Sequence, residues 1–238
     1  LSAGMGKRLE QEKPKSLIEI DNRKLIDIQL NELQLAGIKA EDVYVVTGYK
    51  SELFSEYKLN KILNKDYETT NQVYSISCVS NLSDEKEVVV IYGDIIFENT
   101  LISKLYEQNY NFVIPTFNDF KKLWQDRGDY DFNDLESFSI NKKGGILDIG
   151  NIVEDIDQVQ GQFMGIVYFD NYWFKRFLEL YESYKLLHEK KFLTLQTTNF
   201  LNYLIKNDVH IQSLKYDGYF MELDNQKDLD LIRKTLPF

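Results

Sequence analysis

A chain of 238 residues with 43% hydrophobic and 14% aromatic side chains can bury a sizeable core, and its 28% charged residues are those of an ordinary globular protein. The formal net charge of −10 argues against nucleic acid as the main partner and against docking on an anionic membrane surface, since both need a basic face. No apolar run approaches the roughly 20 residues that span a bilayer, so no membrane insertion is expected. Cys78, the single cysteine, cannot form an intrachain disulfide and fits a reducing cytoplasm.

The chain opens on Leu1-Ser2-Ala3-Gly4 without an initiator Met and without a strand ahead of its glycines. An upstream strand, or a longer fused polypeptide, is therefore expected before residue 1. No repeat or Pro/Gly/Ser linker divides residues 1–238, which read as one domain. Leu25, Ile28, Leu30, Leu33 and Leu35 predict a helix stopped at Gly37, and Val43 to Val46 a short strand. Tyr74 to Val79 read as a helix. Val88 to Tyr92 read as a strand buried on both faces and ending at Gly93-Asp94. A helix over Thr100 to Glu107 precedes a strand around Phe112 to Ile114. Asp119 to Gln162 are polar and turn-rich, with short β patterns at Leu135 to Ile140 and Gly145 to Ile149, and predict a small antiparallel excursion or lid. The stretch Gly161 to Phe169 returns to the sheet. Helices near Tyr172 to Leu187 and Leu195 to Ile205 follow, then strands at Ile211 to Leu214 and Tyr219 to Leu223, and a helix over Gln226 to Lys234. Alternating strands and helices predict a Rossmann-like three-layer α/β/α domain with a mixed, mostly parallel sheet.

Chemistry concentrates in three places. In the first, Lys7, Arg8, Lys13 and Lys15 fall within nine residues beside Ala3, Gly4 and Gly6, although the chain as a whole is acidic. Small residues admit close backbone approach and consecutive amides surround phosphate oxygens, so this loop suits a polyphosphate. It is not a P-loop, because Arg8 follows Lys7 where a magnesium-binding Ser or Thr is required. In the second, Asp94 stands just past a strand's carboxyl end, where open α/β sheets bind ligands, and could hold a magnesium that bridges phosphates; Asp is equally common in caps and turns. In the third, strand alternation puts Glu222 and Asp224 on one face, although Asp224-Asn225 could simply cap the last helix. Thr69 to Ser75 reads as a helix start whose polar groups could also meet a base edge. His188, His210 and Cys78 read as structural, with no partner arrangement for nucleophilic catalysis.

Taken together, Leu1-Ser2-Ala3-Gly4-Met5-Gly6-Lys7-Arg8, Lys13-Pro14-Lys15, Thr47-Gly48-Tyr49 and Gly93-Asp94 resemble the signature of the sugar-nucleotidyltransferase-like superfamily over essentially the whole chain. Thr70 to Ser75, Asp134 to Phe138, Gly161 to Gly165 and Glu222-Leu223-Asp224 followed by Asp228 are similar to the small cytidylyltransferases of the phosphonate and phosphocholine type. Phe220 stands where Trp is common, and Gln72 where Asn is frequent. The resemblance implies Mg2+-dependent transfer of CMP from CTP to a small phosphonate or phosphate acceptor. 2-Aminoethylphosphonate is favoured, with phosphocholine next. It further implies catalytic Lys15 and Arg8, and a nucleotide site at Leu1, Ala3, Gly4, Met5, Gly6, Gln72, Ser75 and Gly93. Metal would bind Asp94, Glu222 and Asp224, and the acceptor would meet Trp124, Glu136, Gln162 and Thr198. A homodimer is compatible with it. A sugar- or polyol-phosphate nucleotidyltransferase and a non-catalytic scaffold of the same fold are the alternatives.

Overall fold

The computed structural model describes residues 1–6, 9, 12–82, 87–128, 135–153 and 155–237, excepting the side chains of 189 and 190. After the cationic loop, β1 (Glu19–Ile20) and β2 (Arg23–Lys24) form a hairpin that leads into α1 (Leu25–Leu35). The next elements are β3 (Tyr44–Thr47), β4 (Asn60–Leu63), α2 (Gln72–Ser77), β5 (Glu87–Ile91), β6 (Ile95–Phe97), α3 (Asn99–Glu107) and β7 (Phe112–Phe117). The second half runs α4 (Phe120–Asp126), β8 (Glu136–Ile140), β9 (Ile146–Ile152), β10 (Gln162–Phe163), β11 (Ile166–Asp170), α5 (Asn171–His188), α6 (Thr197–Lys206), β12 (Gln212–Tyr216), β13 (Phe220–Glu222) and α7 (Gln226–Thr235).

The central sheet is mixed. β4 pairs parallel with β3, and β12 parallel with β7. Residues 1–3 lie between β3 and β5: Ser2 N donates to Val46 O at 2.8 Å and Gly93 N to Leu1 O at 2.8 Å. β11 runs against both β5 and β7, and β10 continues along the same edge of β7 after a break at Gly165, whose φ of +69° favours glycine. The core lies between this sheet and its helices, and Phe112, Phe169, Phe174, Phe177 and Phe200 pack together beneath α5 and α6.

The expected α/β architecture is present, and several details differ from the sequence reading. Only Val90 of β5 is fully buried, so its unbroken apolar run does not mark burial on both faces. Along one edge β5 pairs antiparallel with β11, and its other edge meets residues 1–3. The polar stretch after Asp119 contains α4, whose Phe120, Leu123 and Trp124 face inward at helical spacing diluted by lysines. β4 escaped notice because its residues alternate between exposed and half-buried. The antiparallel excursion is real: β8 and β9 form a hairpin with two register irregularities, and Gly150 of β9 lies against Thr198 of α6.

Candidate active site

The carboxyl ends of β3, residues 1–3 and β5 open into a cleft. Gly93 follows β5 where a Cβ would stand 2.5 Å from Ser2 Oγ and 2.6 Å from Leu1 O, so only glycine admits this close crossing of chains. Asp94 comes next. β13 then pairs antiparallel with β6, bringing Glu222 opposite Ile95, and Leu223 N donates to Asp94 O at 2.7 Å. Two segments far apart in sequence thereby set Asp94, Glu222 and Asp224 around one point, with carboxylate oxygens within 4.8 Å of one another.

Lys15 enters this cluster from the amino-terminal loop, beside Gly6 at φ +58°. Its Nζ donates to Asp94 Oδ2 at 3.0 Å and to Asp224 Oδ1 at 2.6 Å. Burial works against the Lys15 charge, but Asp94 and Asp224 outweigh it and raise its pKa above the ordinary lysine value. Burial, with Asp224 and Asp94 adding, pushes the Glu222 carboxyl up to about 8, while Lys15 and Arg127 pull it back. Three half-buried carboxylates, two of them sharing the Lys15 ammonium, form a donor set that fits a hard divalent cation, with Lys15 standing in for part of its charge.

The helix cap falls to the neighbour of Asp224, not to Asp224 itself. The Asn225 side chain accepts from Lys227 N at 2.9 Å and from Asp228 N at 3.3 Å, and Asp228 completes a capping box. The Asp228 carboxylate also grips Arg127 through Nε at 2.8 Å and Nη2 at 3.1 Å. Its Oδ2 accepts from Asp224 N and Asn225 N as well. This buried fork ties the end of α4 to the loop that carries Glu222 and Asp224.

The cleft has two lobes. The first, about 420 Å³, is walled by Leu1, Gly4, Gly6, Lys15, Gln72, Gly93, Asp94, Glu222 and Asp224 among others. The second, about 330 Å³, contains all four residues expected to meet an acceptor: Trp124, Glu136, Gln162 and Thr198. There Trp124 Nε1 donates to Gln162 Oε1 at 3.0 Å, and Thr198 Oγ1 donates to Glu136 Oε1 at 3.1 Å. Burial raises the Glu136 pKa and the Thr198 hydrogen bond opposes it. Gln72, Tyr92, Glu222 and Asp224 line both lobes.

Three residues from the expected nucleotide site are not on the cleft wall. Ala3 is buried, with its carbonyl accepting from Tyr49 N; Met5 is half-buried between Gly4 and Gly6; Ser75 is buried in α2, where its hydroxyl meets Asn64 Nδ2 at 3.1 Å. Arg8, like Lys7 and Asp134, lies outside the described residues. Sequence reasoning missed Arg127 and Tyr92. Arg127 follows Trp124 by three positions, one helical turn on, and that spacing was the available signal.

Residues 1–185 match the MobA-like NTP transferase domain. The chain belongs to that family. It is a nucleotidyltransferase, in keeping with the cleft's Lys15 and acidic cluster. It is 27% identical over 248 aligned residues to the CTP:phosphoglutamine cytidylyltransferase of Campylobacter jejuni subsp. jejuni serotype O:2, covering 97% of this chain and 96% of that one. It is also 27% identical over 117 residues to the choline-phosphate cytidylyltransferase of Streptococcus pneumoniae, covering 46% of this chain and 50% of that one. Its fold is that of the CTP:phosphocholine cytidylyltransferase LicC from Streptococcus pneumoniae (TM-score 0.73, 18% identity, 99% and 96% coverage). The inositol-1-phosphate CTP transferase from T. maritima shares it too (TM-score 0.71, 18% identity, 98% and 93% coverage).

Proposed function

We propose that this nucleotidyltransferase moves CMP from CTP to a small phosphonate or phosphate acceptor, 2-aminoethylphosphonate first and phosphocholine next, releasing pyrophosphate. The observation that carries the reading is the two-lobed cleft, with Lys15 and three carboxylates at the boundary between a glycine-lined lobe and a polar lobe. The relatives named for CTP, with phosphoglutamine, phosphocholine and inositol-1-phosphate as their partners, support a cytidylyl donor and a phosphorylated acceptor.

In this reading an acceptor oxygen attacks the α-phosphorus of CTP in line, the bond from that phosphorus to the bridging oxygen of the β-phosphate breaks, and pyrophosphate leaves. The acceptor oxygen is already anionic, so the work is positioning and charge stabilisation. The backbone at Gly4 and Gly6 approaches the triphosphate, with Arg8 assigned to it by resemblance. Lys15 moves from the carboxylates to the α-phosphate. Asp94, Glu222 and Asp224 would hold Mg2+, which when bound neutralises charge on the phosphates. Gln72 supports a base role: its side-chain oxygen is buried without a hydrogen-bond partner among the described residues, and cytosine's exocyclic amine is a donor. Glu136 and Trp124 suit a cationic amine at the far end of the acceptor.

Pyrophosphate release measured across CTP, UTP, ATP and dTTP against 2-aminoethylphosphonate, phosphocholine and glucose 1-phosphate, with Mg2+, tests this. Turnover is expected with CTP and one of the first two acceptors, and is expected to stop with EDTA. Preference for another nucleotide or for the sugar phosphate rejects the reading. The structural likeness to the inositol-1-phosphate transferase makes a polyol phosphate the second acceptor class to add.

A further inference from the structure

Asp224 is bracketed by two cations, one from each lobe. Lys15 touches Asp224 Oδ1 from the nucleotide side and lines only the first lobe; Arg127 Nη2 stands 3.6 Å from Asp224 Oδ2 and lines only the second. Arg127 is the one cation on the described wall of the second lobe, which otherwise carries the carboxylates Glu136, Glu222 and Asp224. A dianionic acceptor brought against a triphosphate in such a place needs a counter-charge of its own.

The guanidinium is built for that duty. Its Nε and Nη2 are held from behind by Asp228, itself 1% exposed, and its guanidinium carbon lies over the Trp124 ring, 5.2 Å from the ring centre. Nη1 makes no hydrogen bond among the described residues, and the group has almost no water around it, with 7% of its side chain exposed. An arginine fixed on one edge presents its remaining donors in a rigid array that matches a phosphonate or phosphate.

We propose that Arg127 is a catalytic residue that binds the phosphonate or phosphate oxygens of the acceptor, opposite Lys15 on the nucleotide. This rests on the two-substrate reading of the cleft given above. With Asp224 between them, Lys15 and Arg127 set the two phosphorus centres at a common boundary, each anion meeting its own cation. Trp124, under the Arg127 guanidinium carbon and hydrogen-bonded to Gln162, helps fix the position of the guanidinium, so the acceptor's organic group extends toward Glu136 and Thr198.

The test uses methylphosphonate as the probe, titrated by 31P NMR into the wild-type protein, Arg127→Lys and Arg127→Met, with CTP·Mg2+ affinity measured in parallel by calorimetry. Losing a charge-assisted contact of this kind corresponds to a loss of about tenfold or more. Phosphonate affinity is expected to fall about tenfold in Arg127→Lys, which keeps the charge and loses the planar fork, and further in Arg127→Met. CTP affinity should stay within about threefold of wild type. Unchanged phosphonate affinity in Arg127→Lys overturns the proposal, as does an equal loss of CTP affinity, which would mark a purely structural residue. Absence of phosphonate binding by the wild type also overturns it. Should Arg127→Met not fold, Arg127→Lys decides alone. Selective phosphonate loss in a protein that turns over no CTP would reject the cytidylyl reading and leave the Arg127 site standing.

Discussion

Replacing Asp228 with Ala should unfold the protein at a markedly lower temperature, although Asp228 does not line the cleft. Its carboxylate is 1% exposed and accepts four hydrogen bonds: two from Arg127, and one each from Asp224 N and Asn225 N. Alanine leaves the buried Arg127 guanidinium without its hydrogen-bonded counter-ion, with only Asp224 3.6 Å away, and breaking such a buried pair costs about 3–5 kcal/mol. The two backbone donors lose the same acceptor, so their cost overlaps the ion-pair loss and is not added to it. At about 2–4 °C per kcal/mol for a chain of this size, a loss of ~4 kcal/mol lowers Tm by about 8–16 °C. Asp228→Asn keeps the volume and one acceptor oxygen and should fall between. Glu41→Ala is the control: its ion pair with Lys39 is 3.5 Å long with side chains 73% and 74% exposed, and its removal should shift Tm by no more than about 1–2 °C. Circular-dichroism melts of the three variants decide the matter. A drop below about 3 °C for Asp228→Ala would refute the argument that this fork anchors the loop carrying Glu222 and Asp224.

Lys15→Ala and Asp94→Asn should each lower turnover on the order of 100-fold or more while leaving the melting profile cooperative, as measured by pyrophosphate release. Near-normal turnover in either would remove that residue from the chemistry. In EDTA, stability should decline with pH across the Glu222 titration. The folded chain holds this proton up to about pH 8, whereas an unfolded glutamate releases it near 4.5. The stabilisation is therefore full below pH 4.5 and is lost as pH rises through 8. Glu222→Gln should flatten that part of a denaturant-midpoint profile against pH, and an unchanged slope would contradict the assignment.

The parts of the site that were legible in the sequence are those where composition and position agree. Four cations beside small residues in an acidic chain, and carboxylates placed just past strand ends, are local signals, and the fold brings Lys15, Asp94, Glu222 and Asp224 together. The second-lobe residues Trp124, Glu136, Gln162 and Thr198 came through family resemblance, and no local rule would have joined positions on α4, β8, β10 and α6. Arg127 was hidden because its importance lies in a partner about a hundred residues away: an Arg after a lysine-rich helix reads as solvated until Asp228 is seen to bury it. The choice between Asp224 and Asn225 as helix cap also needed the structure, since both are good capping residues and only the geometry shows Asn225 taking the amides. The return of Gly161 to Phe169 to the sheet was legible, but the direction of β11 was not, because apolar strands carry no mark of direction and its antiparallel run depends on where the chain returns from the β8–β9 hairpin.

The amino-terminal lysine and the three carboxylates are expected to converge on one triphosphate and its divalent ion. A crystal structure with a non-hydrolysable CTP analogue and Mn2+ measures this directly. An anomalous peak is expected at about 2.0–2.3 Å from oxygens of Asp94, Glu222 and Asp224. Lys15 Nζ should have left Asp94 for the α-phosphate, and the cytosine should lie beside Gln72. An analogue bound outside the glycine-lined lobe, or one bound there with Lys15 still paired to Asp94 and Asp224 and no metal among the carboxylates, would contradict it.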